Sequence, residues 1–241
     1  DITVIDNIVP SIINCGAGDQ IVVADSGVCD YTHIDSSWDA TATDNCTVAS
    51  VTYTLSGATS GTGNTLLGVT FNLGLTNVLW TVTDTVGNTD TCSFNVVIND
   101  TELPIISNCP TDIIVNNDND SCGAVVSWLI PTYTDNCGAT MVSNYNTGDY
   151  FNVGTTTVTY TVTDGSGNVS ICEFNVTVND TQVPEAICNN PIATCDSLVV
   201  FNSPSVNDNC GILAVNQIAG WSSGSYFPVG TTIITYEAID I

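Results

Sequence analysis

The sequence predicts an all-β protein built of tandem β-sandwich repeats, and three observations carry that expectation. Short runs rich in Val, Ile, Thr, Tyr, Phe and Trp alternate with clusters of Gly, Asn, Asp and Ser, and no stretch keeps an apolar stripe at helical period. A cassette of residues recurs along the 241-residue chain. Eleven cysteines fall at repeated spacings, none of them in a CxxC arrangement, which favours disulfides in an oxidising compartment over thiolate zinc or redox chemistry. A hydrophobic content of 43% is ample to fill sizeable cores.

The cassette is read from its fixed distances. Phe71-Asn-Leu-Gly74, Phe151-Asn-Val-Gly154 and Phe227-Pro-Val-Gly230 each lie 13 residues before an aspartate, respectively Asp84, Asp164 and Asp240. Eight residues separate Asp84 from Cys92 and Asp164 from Cys172, and eight more lead to Asp100 and Asp180. The triplet Asp-Asn-Cys recurs at 44–46, 135–137 and 208–210. Boundary aspartates Asp6, Asp100 and Asp180, each followed four residues later by Pro10, Pro104 or Pro184, set repeat lengths of 94 and 80. The expected division is therefore 1–6 as the last strand of a preceding repeat, then repeats at 7–100, 101–180 and 181–241. A Gly/Ser/Thr-rich insertion around 56–68 lengthens the first and reads as an extended hairpin or loop. Ile2 and Val4 match Val96 and Ile98, and the third repeat stops before its fourth cysteine and closing strand, so the natural protein is expected to continue in both directions. Donation of a strand by a neighbour is the alternative.

Within a repeat, residues 156–163 put Val158, Tyr160 and Val162 on one face and threonines on the other, the mark of a half-buried strand. Trp80 and Tyr236 take the place of Tyr160, so each core keeps one large aromatic there. Asp164-Gly-Ser-Gly-Asn168 then turns the chain into the alternating strand Phe174–Val178, closing a hairpin. About seven strands in 80 to 94 residues fit a sandwich of immunoglobulin or fibronectin type, whose opposed termini would string repeats into a rod.

Charge narrows the function. Twenty-five carboxylates face one histidine and no Lys or Arg, a net charge of −25. No salt bridge is expected; nucleic acids and anionic membrane surfaces are repelled, and solvent cations, above all Ca2+, are the natural counter-charges. No apolar run is long enough to span a membrane, and there is no signal peptide.

Cys109-Pro110, Asp135-Asn-Cys-Gly138, Phe151-Asn-Val-Gly-Thr-Thr156, Val158-Thr-Tyr-Thr-Val-Thr-Asp164, Gly167-Asn168 and Cys172-Glu-Phe174 together resemble the hyalin repeat, or HYR domain, an immunoglobulin-like module of extracellular proteins. The resemblance covers nearly the whole chain. It implies a secreted or cell-surface, adhesion-related setting, and the acidic four-cysteine version looks like the giant surface adhesins of Bacteroidetes, gliding-motility adhesins among them. Gly16 stands where Pro would follow Cys15, and Cys188 and Cys195 are only seven apart, both departures from the pattern.

Four cysteines per repeat allow three pairings. In a sandwich the loop before Cys137 and the hairpin before Cys172 lie at one end, with Cys122 at the other. The expected bonds are therefore Cys137–Cys172, Cys109–Cys122, Cys46–Cys92, Cys15–Cys29 and Cys188–Cys195, with the partner of Cys210 beyond the chain end.

No catalytic constellation is found. His33 has no basic neighbour and no counterpart in the other repeats, and reads as a half-exposed strand residue. Asn116-Asn-Asp-Asn-Asp120 offers alternating oxygen ligands, and boundary residues Asp100 and Asp180 could join Asp84 or Asp164 at a junction. Asp118, Asp120, Asp84, Asp100, Asp164 and Asp180 are thus the candidate Ca2+ ligands. The same residue types are what tight turns require, and both readings stay open. Acceptor motifs for N-linked sugar occur at Asn99, Asn168, Asn175 and Asn179. The expected role is a non-catalytic structural and adhesive stalk whose partners are neighbouring repeats and extracellular surface or glycan ligands. A carbohydrate-binding module and accessory repeats of a secreted enzyme are the alternatives, the former disfavoured because Trp38, Trp128 and Trp221 do not share a repeat position.

Overall fold

The computed structural model describes residues 5–241. The strand expected from Ile2 and Val4 lies outside the described residues, and Ile5 and Asp6 are not in a strand. The chain divides into two compact units, Asp1–Ser107 with Thr132–Val142 and Thr161–Ile171, and Asn108–Pro131 with Ser143–Tyr160 and Cys172–Ile241. Among the described residues all regular structure is β.

The first repeat supplies β1 (Ser11–Cys15), β2 (Gln20–Val23), β3 (Asp30–Thr32), β4 (Ala40–Thr43), β5 (Val48–Gly57), β6 (Gly61–Gly63), β7 (Thr70–Asn72), β8 (Gly74–Asp84) and β9 (Thr89–Asn99). Alternation of β-branched and aromatic residues puts Val78, Trp80 and Val82 of β8 wholly out of solvent. The five-stranded sheet has the order β2-β9-β8-β5-β6, with β2 parallel to β9, and β6 doubles back on β5 in the long insertion. The opposing layer is made of two antiparallel pairs, β1 with β4 and β3 with β7. Ala40 and Phe71 from that layer meet Leu55, Trp80, Phe94 and Ile98 in one core. A first strand split between layers, one half pairing with β4 and the other with the last strand, is the immunoglobulin-like arrangement. Burial of Trp80 and Phe71, both wholly inaccessible, stabilises by about 1.5–3 kcal/mol each.

The second repeat repeats the plan with β10 (Ile105–Ser107), β11 (Ile113–Asn116), β12 (Gly123–Val125), β13 (Thr132–Thr134), β14 (Ala139–Ser143), β15 (Tyr150–Asn152), β16 (Gly154–Asp164) and β17 (Val169–Asn179). The pair β10–β13 belongs to the first unit. In the second unit β11 lies parallel to β17 and β12 pairs with β15. The sheet order is β11-β17-β16-β14. The third repeat contributes β18 (Glu185–Ile187), β19 (Leu198–Val199), β20 (Ser205–Asn207), β21 (Ile212–Ala219), β22 (Ser225–Tyr226) and β23 (Thr235–Asp240), paired β18–β20, β19–β22 and β21–β23. As expected, Val158, Tyr160 and Val162 are buried; Tyr236, in β23, is only half-buried.

Trp38 and Trp128 turn out to be structural counterparts. Trp38 stands edge-on to Phe71 and Phe94, at 5.7 and 6.5 Å between ring centroids. Trp128 stands in the same way to Phe151 and Phe174, at 5.9 and 5.3 Å. In the third repeat Phe201 meets Phe227 at 6.2 Å. A longer loop after Cys29 than after Cys122 hides this equivalence in the sequence. Gly16 also finds its reason, with φ of +75° and a Cβ position only 2.6 Å from the Trp38 carbonyl oxygen, where neither proline nor any side chain fits.

The disulfides correct the expected pairing. The bonds are Cys15–Cys92, Cys109–Cys172, Cys29–Cys137 and Cys122–Cys210, while Cys46, Cys188 and Cys195 are free thiols. Cys15–Cys29, Cys46–Cys92, Cys109–Cys122, Cys137–Cys172 and Cys188–Cys195 do not form, and Cys210 has its partner within the chain. Two bonds tie the start of a repeat to its last long strand, and two join successive repeats. The physical reason lies in the parallel pairing of β2 with β9 and of β11 with β17. It carries the following turn past the linker, through Ala24 N–H to the Asn99 carbonyl at 2.9 Å and Asn117 N–H to the Asn179 carbonyl at 2.9 Å. Cys29 and Cys122 thereby come to the next repeat's Asp-Asn-Cys triplet, at Cα separations of 4.9 and 4.6 Å from Cys137 and Cys210.

Candidate functional site

Polar side chains gather where the linkers after β9 and β17 meet the next Asp-Asn-Cys triplet, once in each unit. In the first unit the Asn99–Glu102 linker leaves β9, the Asp135-Asn-Cys triplet follows β13, and Asp164 ends β16. Asn136 Nδ2 donates to the Val28 carbonyl at 3.0 Å and to Asp100 Oδ1 at 3.2 Å. Glu102 accepts from Ser26 Oγ at 2.9 Å and from Gly27 N–H at 3.1 Å. Asn168 Nδ2 donates to the Asp100 carbonyl at 3.2 Å and Ser170 Oγ to the Pro104 carbonyl at 2.5 Å. The second unit repeats the plan, with Asn209 Nδ2 donating to the Ser121 carbonyl at 2.8 Å and to Asp180 Oδ1 at 3.5 Å.

The acids behind these contacts are unusually crowded. One oxygen from each of Asp100, Asp135 and Asp164 lies within 4.8 Å of the other two, and so does one ligand atom from each of Asp6, Asp44 and Cys46. Asp100 is 5% exposed and Asp164 7%. Burial pushes the Asp164 carboxyl up, but the Asn168 side chain and the N–H groups of Asn168, Ser166 and Gly167 outweigh it and hold the group below its ordinary value. Asp84 behaves alike, burial being outweighed by Asn88 and the N–H groups of Val86, Asn88 and Gly87. The Cys46 thiol is pushed up, first by its hydrogen bond with Asp6, then by burial and the charges of Asp6, Asp44 and Asp84, which keeps it protonated and a poor nucleophile.

Of the six candidate ligands, Asp100 and Asp164 lie together, while Asp84 lies with Asp6 and Asp44 around Cys46 and Asp180 is linked through Asn209 to the Asp208 triplet. Asp118 and Asp120 sit exposed in the β11–β12 turn, where Asp118 Oδ2 accepts from Val125 N–H at 3.0 Å and Asp120 has a φ of +58°. They act there as turn residues. Asp135, Asn136 and their counterparts Asp44, Asp208 and Asn209 were missing from the expected set, although the recurring Asp-Asn-Cys triplet was the signal that marks them. Asn168, an acceptor motif for sugar, has its amide engaged by Asp164 and the linker. His33 is 3% exposed rather than half-exposed, stacked on Trp38 at 3.8 Å, with Nε2 3.2 Å from Asp35. Burial, against the pull of Asp35 and Asp39, holds its pKa below the ordinary value, so the contact is not an ion pair at neutral pH.

Comparison with known proteins supplies the family. The HYR domain model matches residues 99–178 and 179–241. Hyalin of Strongylocentrotus purpuratus is 34% identical over 179 residues, which is 69% of this chain and 15% of that protein. Hyalin of Lytechinus variegatus is 34% identical over 209 residues, 76% of this chain and 38% of that protein. The chain thus spans well under half the length of either relative. A solved protocadherin gammaB7 structure, EC3-6, aligns with 95% of this chain and 76% of its own at 13% identity and a TM-score of 0.35. With its repeats matched across more than half its length, this chain belongs to the HYR domain family.

Proposed function

We propose that the chain is a force-bearing, non-catalytic segment of a large extracellular adhesive protein, with repeats at 7–100, 101–180 and 181–241. The observation that carries the proposal is the pair of bonds Cys29–Cys137 and Cys122–Cys210, which make each junction a covalent bridge in addition to the peptide linker. A catalytic module gains nothing from such a ladder; a spacer that transmits tension does, because unfolding one repeat no longer releases its full length. Cys46 holds the position of Cys137 and Cys210, and Cys195 that of Cys29 and Cys122, so on this reading both are rungs toward further copies of the repeat. The sole imidazole is packed against Trp38, which supports the absence of acid–base catalysis. An acidic cell-surface array such as the gliding-motility adhesins of Bacteroidetes is one setting that fits the four-cysteine pattern.

The ligand-binding alternative is disfavoured because Trp38, Trp80 and Trp128 pack in cores and only Trp221, at 54% exposure, faces solvent. The oxidised chain, immobilised on beads and tested against glycan arrays and extracellular matrix proteins, should show no saturable binding. Saturable binding by this segment alone would replace the spacer with a ligand-binding module.

A further inference from the structure

We propose that Asp100, Asp135, Asp164 and the amide oxygen of Asn136 form a binding site for Ca2+, built into the junction between the first and second repeats. The proposal goes beyond the spacer reading, which rests on the disulfides and stands or falls separately.

Asp100, Asp135 and Asn136 are each anchored through one atom and present another. Asp100 Oδ1 accepts from Asn136 Nδ2 at 3.2 Å and from Glu102 N–H at 3.0 Å, while its Oδ2 is buried with no partner. Asp135 Oδ2 accepts from Cys137 N–H at 2.9 Å, leaving the buried Oδ1 without a partner. Asn136 spends its Nδ2 on Val28 and Asp100, and its buried Oδ1 is likewise unpartnered. Asp164 is held through both oxygens, Oδ1 by Ser166 N–H at 2.9 Å and Asn168 N–H at 2.8 Å and Oδ2 by Asn168 Nδ2 at 2.7 Å, so it would meet the ion through a remaining carboxylate lone pair. Carboxylate oxygens within 4.8 Å of one another can share a single ion at the 2.3–2.6 Å typical of calcium–oxygen bonds.

Orphaned buried oxygens are rare and call for a partner, and here the protein has none to give. The chain contains no Lys or Arg, and its one histidine is buried against Trp38. A hard divalent cation satisfies the three charges and the orphaned lone pairs together. An all-oxygen set of protein carboxylates and an amide suits Ca2+, which accepts many oxygen ligands in flexible geometry, better than Mg2+, which keeps several waters. The same pattern recurs independently. At the other junction, in the second unit, Asp180 Oδ2, Asp208 Oδ2 and Asn209 Oδ1 are buried and unpartnered, and near the start of the chain so are Asp6 Oδ2 and Asp44 Oδ1. Two complete occurrences of the orphaned Asp, Asp and Asn set, and a third that keeps its two aspartates, mark a device of the repeat rather than a local accident.

The test is calorimetric titration of the oxidised 241-residue chain, stripped with EDTA, with CaCl2 and separately with MgCl2, alongside thermal melts. The wild type should bind Ca2+ saturably, more tightly than Mg2+, and melt at higher temperature with it. Asp135→Asn should lose one equivalent of bound Ca2+ or weaken it at least tenfold, whereas Asp120→Asn, in the exposed turn, should bind as the wild type does. In EDTA, Asp135→Asn should melt no lower than the wild type, since it removes one of three crowded like charges, and that readout separates lost binding from lost folding. Absence of saturable Ca2+ binding up to about 10 mM, roughly tenfold above the weakest extracellular calcium sites, full binding by Asp135→Asn, or a lower metal-free melt of that variant would each overturn the proposal.

Discussion

Stretching the molecule from its two ends offers a direct reading of how the repeats are joined. With all four bonds intact, the shortest covalent path runs from residue 1 to Cys29, across to Cys137, back to Cys122, across to Cys210 and on to residue 241. That path contains about 75 residues and extends to roughly 260 Å at about 3.5 Å per residue. Complete reduction frees all 241 residues, or roughly 840 Å. Cys122→Ser removes one crossing and reroutes the path through Cys15–Cys92 and Cys109–Cys172, lengthening it to about 100 residues and roughly 350 Å. Self-contained repeats, with bonds only inside each, would instead extend to about 125 residues, roughly 440 Å. Single-molecule force spectroscopy with handles at the two termini distinguishes these lengths easily. A contour length near 440 Å for the oxidised chain would refute a ladder that crosses the junctions.

Two further outcomes concern folding. Asp164 is held below its ordinary pKa in the folded state, so its ionised form stabilises the fold above the unfolded value and that contribution is lost as pH falls through the folded value; melting temperature should drop on the acid side of about pH 4, and Asp164→Asn should flatten the drop, an unchanged profile counting against the Asx turn. Phe71→Ala, at a site with no solvent exposure that packs on Trp38, should cost about 3–5 kcal/mol in urea denaturation, and a cost under about 1 kcal/mol would mean the core had been misidentified.

Much of the fold was legible because it is written in local patterns. The β8 and β16 strands announce themselves by strict alternation, and Asp84 and Asp164 by the Gly-Asn turns that follow them. The shared role of Trp38 and Trp128 was not legible, because loops of different length separate each from its preceding cysteine and only the packing on equivalent phenylalanines reveals it. The disulfides were misread for a related reason. Spacing within a repeat cannot say which cysteines face outward, and the parallel docking of β2 on β9 is a tertiary event that turns Cys29 toward the next repeat. At the junction, Asp100 and Asp164 could be anticipated from boundary and turn chemistry. Asp135 and Asn136 were visible as a recurring triplet, yet nothing local indicates that one oxygen of each would be left buried and unpaired.

The central claim is that successive repeats are covalently joined, and peptide mapping of the unreduced, thiol-blocked chain tests it most directly. Trypsin has no Lys or Arg to cut after, so digestion must use proteases specific for acidic or aromatic residues. Peptides linked Cys29–Cys137 and Cys122–Cys210 should be recovered, with Cys46, Cys188 and Cys195 carrying the thiol label. Recovery of Cys15–Cys29 and Cys109–Cys122 in their place would contradict it.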